Sequence, residues 1–226
     1  MTPKVIFFDV NETLLDLRGM KRVVAEALGG RDDLLPLWFS TMLHHSLVES
    51  ATDSFHPFGE IGAAALMMVA ESNGIELSSV DAKAAIAEPL QSLPPHSDVR
   101  PGLEALKAEG FTLAALTNSA DAMVAAQMES AGLIDLFDRL LTVESLQIYK
   151  PNRAVYDWAM DQMEVEAEEA MMVAAHGWDI AGIKAAGMHG VFVARPGQVL
   201  YPLAPPPDLV VEDLVELSEI MMSRAQ

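Results

Sequence analysis

Residues 4–17, Lys-Val-Ile-Phe-Phe-Asp-Val-Asn-Glu-Thr-Leu-Leu-Asp-Leu, decide how the chain is read. The five residues before Asp9 are rich in β-branched and aromatic side chains and lack the polar alternation of a half-exposed strand, which predicts a strand buried on both faces. The run ends abruptly in Asp9 and a polar turn. Open α/β folds bind ligands at the carboxyl ends of their strands, so a carboxylate there is a candidate functional group. A lone aspartate after a strand is more commonly a turn or N-cap residue. The rest of the chain has to decide between the two.

Downstream the pattern comes in two blocks. Leu17 to Leu28, Leu34 to Val48, Ile61 to Ser72 and Ser79 to Leu90 predict consecutive helices, closed by Gly29-Gly30 and Asn73-Gly74 and opened by Ser78 or Ser79. A Pro-rich linker, Ser92 to Asp98, follows. From Val99 onward strands and helices alternate. Helices are expected at Pro101 to Glu109, Ala120 to Ala131, Pro151 to Met163, Ile180 to Ala186 and Leu214 to Met222. Strands are expected at Phe111 to Leu116, Arg139 to Thr142, Ala170 to Ala174, Gly190 to Ala194 and Leu209 to Val211. This alternation argues for an α/β fold, a parallel sheet flanked by helices, into which the all-helical block is inserted. The division expected is a core of residues 1–16 and 97–226 and a helical cap of residues 17–96 over the edge where Asp9 emerges.

Composition narrows the function. With 33 acidic against 14 basic residues, a formal net charge of -19, the chain repels phosphate backbones and anionic membrane surfaces, so no nucleic-acid and no membrane partner is expected. No apolar stretch reaches the length of a membrane span and no signal-type segment opens the chain, which gives a cytoplasmic expectation. The absence of cysteine excludes disulfides, thiolate metal sites and a cysteine nucleophile. A small anionic substrate would have to be drawn in by local cations and backbone N–H groups, so each lysine or arginine near the site is informative.

In a parallel sheet the carboxyl ends of all strands meet along one edge. The residues collected there are Asp9; Thr117, Asn118 and Ser119; Tyr149 and Lys150; and His176, Trp178 and Asp179. Singly, each has a structural explanation: Ser119 and Asp179 as N-caps, Lys150 as a solvated surface residue. The combination of carboxylate, hydroxyl, ammonium and carboxylate at successive strand ends is not predicted by capping.

These marks resemble the haloacid dehalogenase superfamily, with Asp9 to Thr13 as its Asp-x-x-x-Thr motif and Thr117, Lys150 and Asp179 as its later motifs. Tyr149-Lys150-Pro151 with Tyr156, and Trp178-Asp179 followed by Ala181-Gly182, resemble its L-2-haloacid dehalogenase branch. The resemblance implies a modified Rossmann-like core with a helical cap, an aspartate nucleophile and a possible homodimer. A phosphatase of this superfamily needs a general acid two residues after the nucleophile, where this chain has Asn11, and a second acidic Mg²⁺ ligand, where it has Ala175. A metal-independent site without cofactor is therefore expected.

The reaction implied is attack of Asp9 on C2 of a 2-halo carboxylate, loss of halide, and hydrolysis of the aspartyl ester to a 2-hydroxy acid. Lys150 would keep Asp9 ionised, Thr13 and Thr117 would orient the substrate carboxylate, Asn118 would receive the halide, and Asp179, with His176 nearby, would activate water. Asn11, Tyr156 and Trp178 complete the expected substrate site. The chain departs from the branch at two places. Ser40 stands where a cap arginine is expected, and His176 replaces an asparagine, as a donor, a base or a helix-start residue. Alternatives are a Mg²⁺-dependent phosphatase, a ring-opening hydrolase of a strained amino acid, and a non-catalytic small-anion-binding protein. His44, His45 and His56 lack the spacing of a metal site, and the methionines read as core filler, with Met68 a candidate for the cap side of the pocket.

Overall fold

A computed structural model of the chain describes residues 3–225; Met1, Thr2 and Gln226, part of the expected core, lie outside the described residues. The sheet has six strands, all parallel, in the order β3-β2-β1-β4-β5-β6. These are β1 (Val5–Phe8), β2 (Thr112–Thr117), β3 (Arg139–Thr142), β4 (Ala170–Ala174), β5 (His189–Val193) and β6 (Leu209–Val211). β1 is central and all four of its residues are buried, which is why it carries no polar alternation. The chain turns from β1 towards β2 and β3 and then crosses back to β4, so the crevice between β1 and β4 is the switch point where such sheets bind ligands.

Register places the site. Phe8 pairs with Ala115 on β2 and with Val173 on β4. Asp9, Thr117 and His176 therefore leave their strands within about three residues of one another along a single edge. The Asp9 N–H still donates to the Val173 carbonyl at 3.0 Å, fixing the start of the loop that follows.

After β1 come four helices, α1 (Arg18–Ala27), α2 (Leu35–Ala51), α3 (Phe58–Ser72) and α4 (Ser79–Gln91), with no named strand between them. α2 packs on α3, α3 on α4, and α4 on α1. The chain leaves and returns side by side: Asp16 N–H donates to the Pro94 carbonyl at 2.8 Å and His96 N–H to Leu14 at 3.0 Å. The alternating half supplies α5 (Val99–Ala108), α6 (Asp121–Ser130), α7 (Arg153–Met163), α8 (Gly177–Ala186) and α9 (Leu214–Ala225). None of the helices of the described residues is long and apolar enough to cross a membrane.

Helix starts depart from the sequence reading in ways that matter. α8 begins at Gly177 instead of Ile180, so Trp178 and Asp179 lie in its first turn and not ahead of it. α7 begins at Arg153, capped by the Asn152 side chain, which accepts from Ala154 N–H at 3.0 Å, so Pro151 stays outside. α5 begins at Val99, two residues before Pro101, whose missing N–H is harmless in a first turn. Ser119 is not a cap: Ala120 holds that position and the Ser119 hydroxyl accepts from Asn11 Nδ2 at 3.2 Å.

α8 approaches α7 closely because residue 182 is glycine. A Cβ there would stand 2.5 Å from the Tyr156 hydroxyl oxygen and 2.6 Å from Pro151 Cβ. Gly182→Ala is expected to cost ~1–3 kcal/mol in urea unfolding through overpacking, and to lower activity by pushing Tyr156 off its partner in the site.

Candidate active site

The centre of the site is an ammonium between two carboxylates. Lys150 Nζ donates to Asp9 Oδ1 at 2.9 Å, to Asp179 Oδ2 at 2.7 Å and to the Leu116 carbonyl at 2.9 Å, and all three side chains are almost wholly buried. Its backbone N–H donates to Asn118 Oδ1 at 3.0 Å, which ties the residue to the end of β2. Thr13 donates its hydroxyl to Asp9 Oδ2 at 2.8 Å and accepts from Ala175 N–H at 3.0 Å. Tyr156 donates its hydroxyl to Asp179 Oδ1.

This arrangement separates the two acids. Burial alone would raise the Asp9 pKa, but Lys150 and His176 together hold it well below the usual carboxylate range. Asp179 is moved the other way, by burial first and by the charge of Asp9, against the pull of Lys150. Burial would lower the Lys150 pKa; Asp179 and Asp9 outweigh it and hold the ammonium charged. Asp9 is the more acidic of the pair and faces open space. Asp179 is sealed behind it.

Asp9 opens into a cavity of about 660 Å³, which Asn11, Ser40, Thr117, Asn118, His176 and Trp178 also line. Much of its wall comes from the helical insertion, with Met20, Trp38, Phe39, Met42 and Phe58 prominent. Of the residues expected at the site from sequence, Thr13, Lys150, Tyr156 and Asp179 do not line the cavity. Thr13 instead holds Asp9, and Tyr156 holds Asp179, from behind the cavity wall. Met68 is 46% exposed and lies outside the cavity; Met20 and Met42 take the place expected for it.

His176 is where the structure adds most. Its ring lies between two others, stacked on Trp178 at 5.2 Å and on Phe39 of α2 at 6.0 Å between centroids. Nε2 is 2.7 Å from Glu12 Oε2, and Nδ1 faces Asp9 Oδ2 at 3.3 Å, an ion-pair distance without hydrogen-bond alignment. Burial would lower its pKa; the two carboxylates outweigh that and raise it to about 9. Glu12 adopts a left-handed backbone with φ 62, unusual for a non-glycine residue. It is held there by His176, by Gln198 Nε2 donating to its Oε2 at 3.1 Å, and by Arg195, which clamps the next carbonyl, Thr13 O, at 2.9 and 3.1 Å. Glu12 and Gln198 were not singled out from sequence. An acid inside Asp-x-x-x-Thr was a local signal for Glu12; nothing local marks Gln198, which arrives from beyond β5.

A family model for haloacid dehalogenase-like hydrolases matches residues 3–187. The chain belongs to that family. Among its relatives, (S)-2-haloacid dehalogenase 1 of Pseudomonas sp. (strain CBS-3) is 31% identical over 189 residues, 83% of each chain. The (S)-2-haloacid dehalogenase of Pseudomonas sp. (strain YL) is 29% identical over 99% of this chain and 97% of that one. The fold matches the structure of L-2-haloacid dehalogenase from Xanthobacter autotrophicus with chloropropionic acid covalently bound, with a TM-score of 0.90, 23% identity, and coverage of 98% of this chain and 99% of that one.

The divalent cation that serves many hydrolases of this fold does not fit here. The two carboxylates that would ligate it already share the Lys150 ammonium, Ala175 contributes no oxygen from its side chain, and the Asn11 amide is committed to Ser119 and Gln127. No group of three or more His, Asp or Glu side chains among the described residues has a metal-binding arrangement.

Two outcomes follow from these charges. Lys150→Met leaves buried Asp179 without a counter-charge and Asp9 with His176 alone, and is expected to cost ~3–5 kcal/mol in denaturant unfolding. For His176, a folded-state pKa raised from 6.5 to about 9 contributes stability that is complete below pH 6.5 and lost as pH rises through about 9. His176→Asn should flatten the fall in unfolding free energy over that range.

Proposed function

We propose that this protein is a metal-independent hydrolase of 2-halo carboxylates, with residues 17–96 acting as a cap over a core of residues 1–16 and 97–226. The observation that carries the reading is an ionised Asp9 that opens on an apolar cavity and is backed by a lysine in place of a metal. Asp9 attacks C2, a C–O bond forms as the carbon–halogen bond breaks, and halide leaves. Asn118 Nδ2 and Trp178 Nε1, buried donors without a protein acceptor at the cavity wall, are suited to receive it.

Hydrolysis of the ester falls to His176. Asp179 has both oxygens engaged and does not line the cavity, which supports a part as counter-charge for Lys150 over the water-activating role expected from sequence. Glu12 accepts from Nε2 of the imidazole, so in the neutral ring the free lone pair is on Nδ1, the atom facing Asp9. In the resting enzyme the Asp9 anion keeps His176 protonated. Alkylation of Asp9 removes that charge, the imidazolium releases a proton to solvent, and Nδ1 can then take one from water as the hydroxide adds to the Asp9 carboxyl carbon. The ester C–O bond breaks, the departing alkoxide takes the proton of the added hydroxyl and leaves as the 2-hydroxy acid, and Asp9 returns as carboxylate beside protonated His176. One proton and one halide are released per turnover.

The reading is tested by halide release from L-2-chloropropionate, unchanged by EDTA, with ¹⁸O from water entering Asp9. A second arm uses His176→Asn, which should form the ester but hydrolyse it at least about a hundredfold more slowly, within the range for loss of a general base. Mass spectrometry would then show Asp9 carrying the added mass of the substrate's carboxyalkyl group. Absence of halide release from chloro, bromo and fluoro acids alike would overturn the assignment, and ester turnover unaffected in the His176 variant would overturn the role of that residue.

A further inference from the structure

Resting on the reading above, we infer that Lys21, on the first turn of α1, is the cation that binds the substrate carboxylate, in the role left empty by Ser40. A 2-halo carboxylate brings a negative charge into a cavity whose lining already includes Asp9, Glu12 and Asp32. In a chain of net charge -19 the distant field opposes that entry as well, so a local cation has to reverse it.

The other candidates are already committed. Lys150 does not line the cavity, and its three donors go to Asp9, Asp179 and the Leu116 carbonyl. His176 faces Glu12 on one nitrogen and Asp9 on the other. The Lys150 N–H donates to Asn118 Oδ1 and the Ser119 N–H to Thr117 Oγ1, so neither amide is free for an anion.

Lys21 is different from its neighbours on α1. Arg18 pairs with Asp16, and Arg22 with Glu26 one turn on; Lys21, between them, has no ion pair or side-chain hydrogen bond among the described residues. Leu17 and Met20 line the same cavity, so spacings of three and four residues put the Lys21 stem on the inward side of the helix, while its flexible head remains exposed. Ser40 lines that cavity from α2 and offers only a hydroxyl. A long, unpaired ammonium supplies across the cavity the charge that a guanidinium would have supplied from α2.

The test separates this role from the chemistry. Calorimetric binding of propionate and of propionamide to the full chain needs no turnover. Lys21→Gln is expected to weaken propionate about fivefold to tenfold and to leave propionamide unchanged, while Lys21→Arg keeps most of the propionate affinity. In the halide-release assay the same variant should raise KM for 2-bromopropionate by a similar factor with kcat within about twofold, and the effect should shrink as NaCl is added. Equal loss of acid and amide, or propionate binding indifferent to Lys21→Gln, would overturn the inference. Lys21-dependent propionate binding without any halide release would leave the inference standing and overturn the dehalogenase reading alone.

Discussion

The structure depends on the sharing of one buried ammonium by two carboxylates. Burying Lys150, Asp9 and Asp179 carries a desolvation cost of several kcal/mol per ion, repaid only when every polar atom is matched. The surrounding sequence does the matching. The Leu116 carbonyl takes the third Lys150 donor, the Thr13 hydroxyl the second oxygen of Asp9, and the Tyr156 hydroxyl the second oxygen of Asp179. Gly182 is needed because Tyr156 has to pass close to α8 to reach its acid. The triad keeps one excess negative charge, and burial settles where it is reactive: Asp9 is depressed and borders the cavity, Asp179 is raised and enclosed.

His176 extends this network and, in the reaction proposed, makes it responsive to the chemistry. It faces the two acids that raise its pKa, and only one of them, Asp9, would change charge during that reaction. A base protonated while the nucleophile is free would not compete with it and would become competent once the nucleophile has been used. The rings of Phe39 and Trp178 stack on the imidazole and set its plane, and its two nitrogens face Asp9 and Glu12.

The sheet was legible in the sequence because its inner strands are buried on both faces and separated by ordinary turn residues; the edge strands β3 and β6, partly exposed, also begin and end at the residues expected. The strand-end groups were legible for the same reason, since parallel register alone brings Asp9, Thr117 and His176 together. Local propensity misjudged the start of α8, where Gly177 and Trp178 are weak helix formers held by packing: the Val199 carbonyl lies where a Cβ on residue 177 would be, at 2.4 Å. Ser119 has the composition of a cap but was recruited by Asn11, 108 residues away in sequence. Gln198 and Lys21 gain their meaning only from tertiary placement, whereas Glu12 carried a local signal inside Asp-x-x-x-Thr; helical phase cannot be read for Lys21 until the wall it faces is known.

The residue before Lys150 explains how the apolar wall and the charged centre are kept in register. Tyr149 is fully buried against Phe55 and Phe58, its N–H donates to Ser50 Oγ at 3.0 Å, and its hydroxyl donates to the His56 carbonyl. Phe58 in turn lines the cavity. Besides the neck, where Leu15 meets Pro95, and the bond from Gln127 Nε2 to the Leu90 carbonyl, the helical insertion is thus joined to the core at the residue adjoining Lys150. This last attachment has a chemical consequence. A lysine beside a carboxylate stabilises the anion and so weakens it as a nucleophile; stripping water from the same anion has the opposite effect and also strengthens every charge interaction inside the cavity. Both influences on Asp9 are set by adjacent residues of one segment, Lys150 from within and Tyr149 through the wall it anchors, so their balance is fixed by the fold.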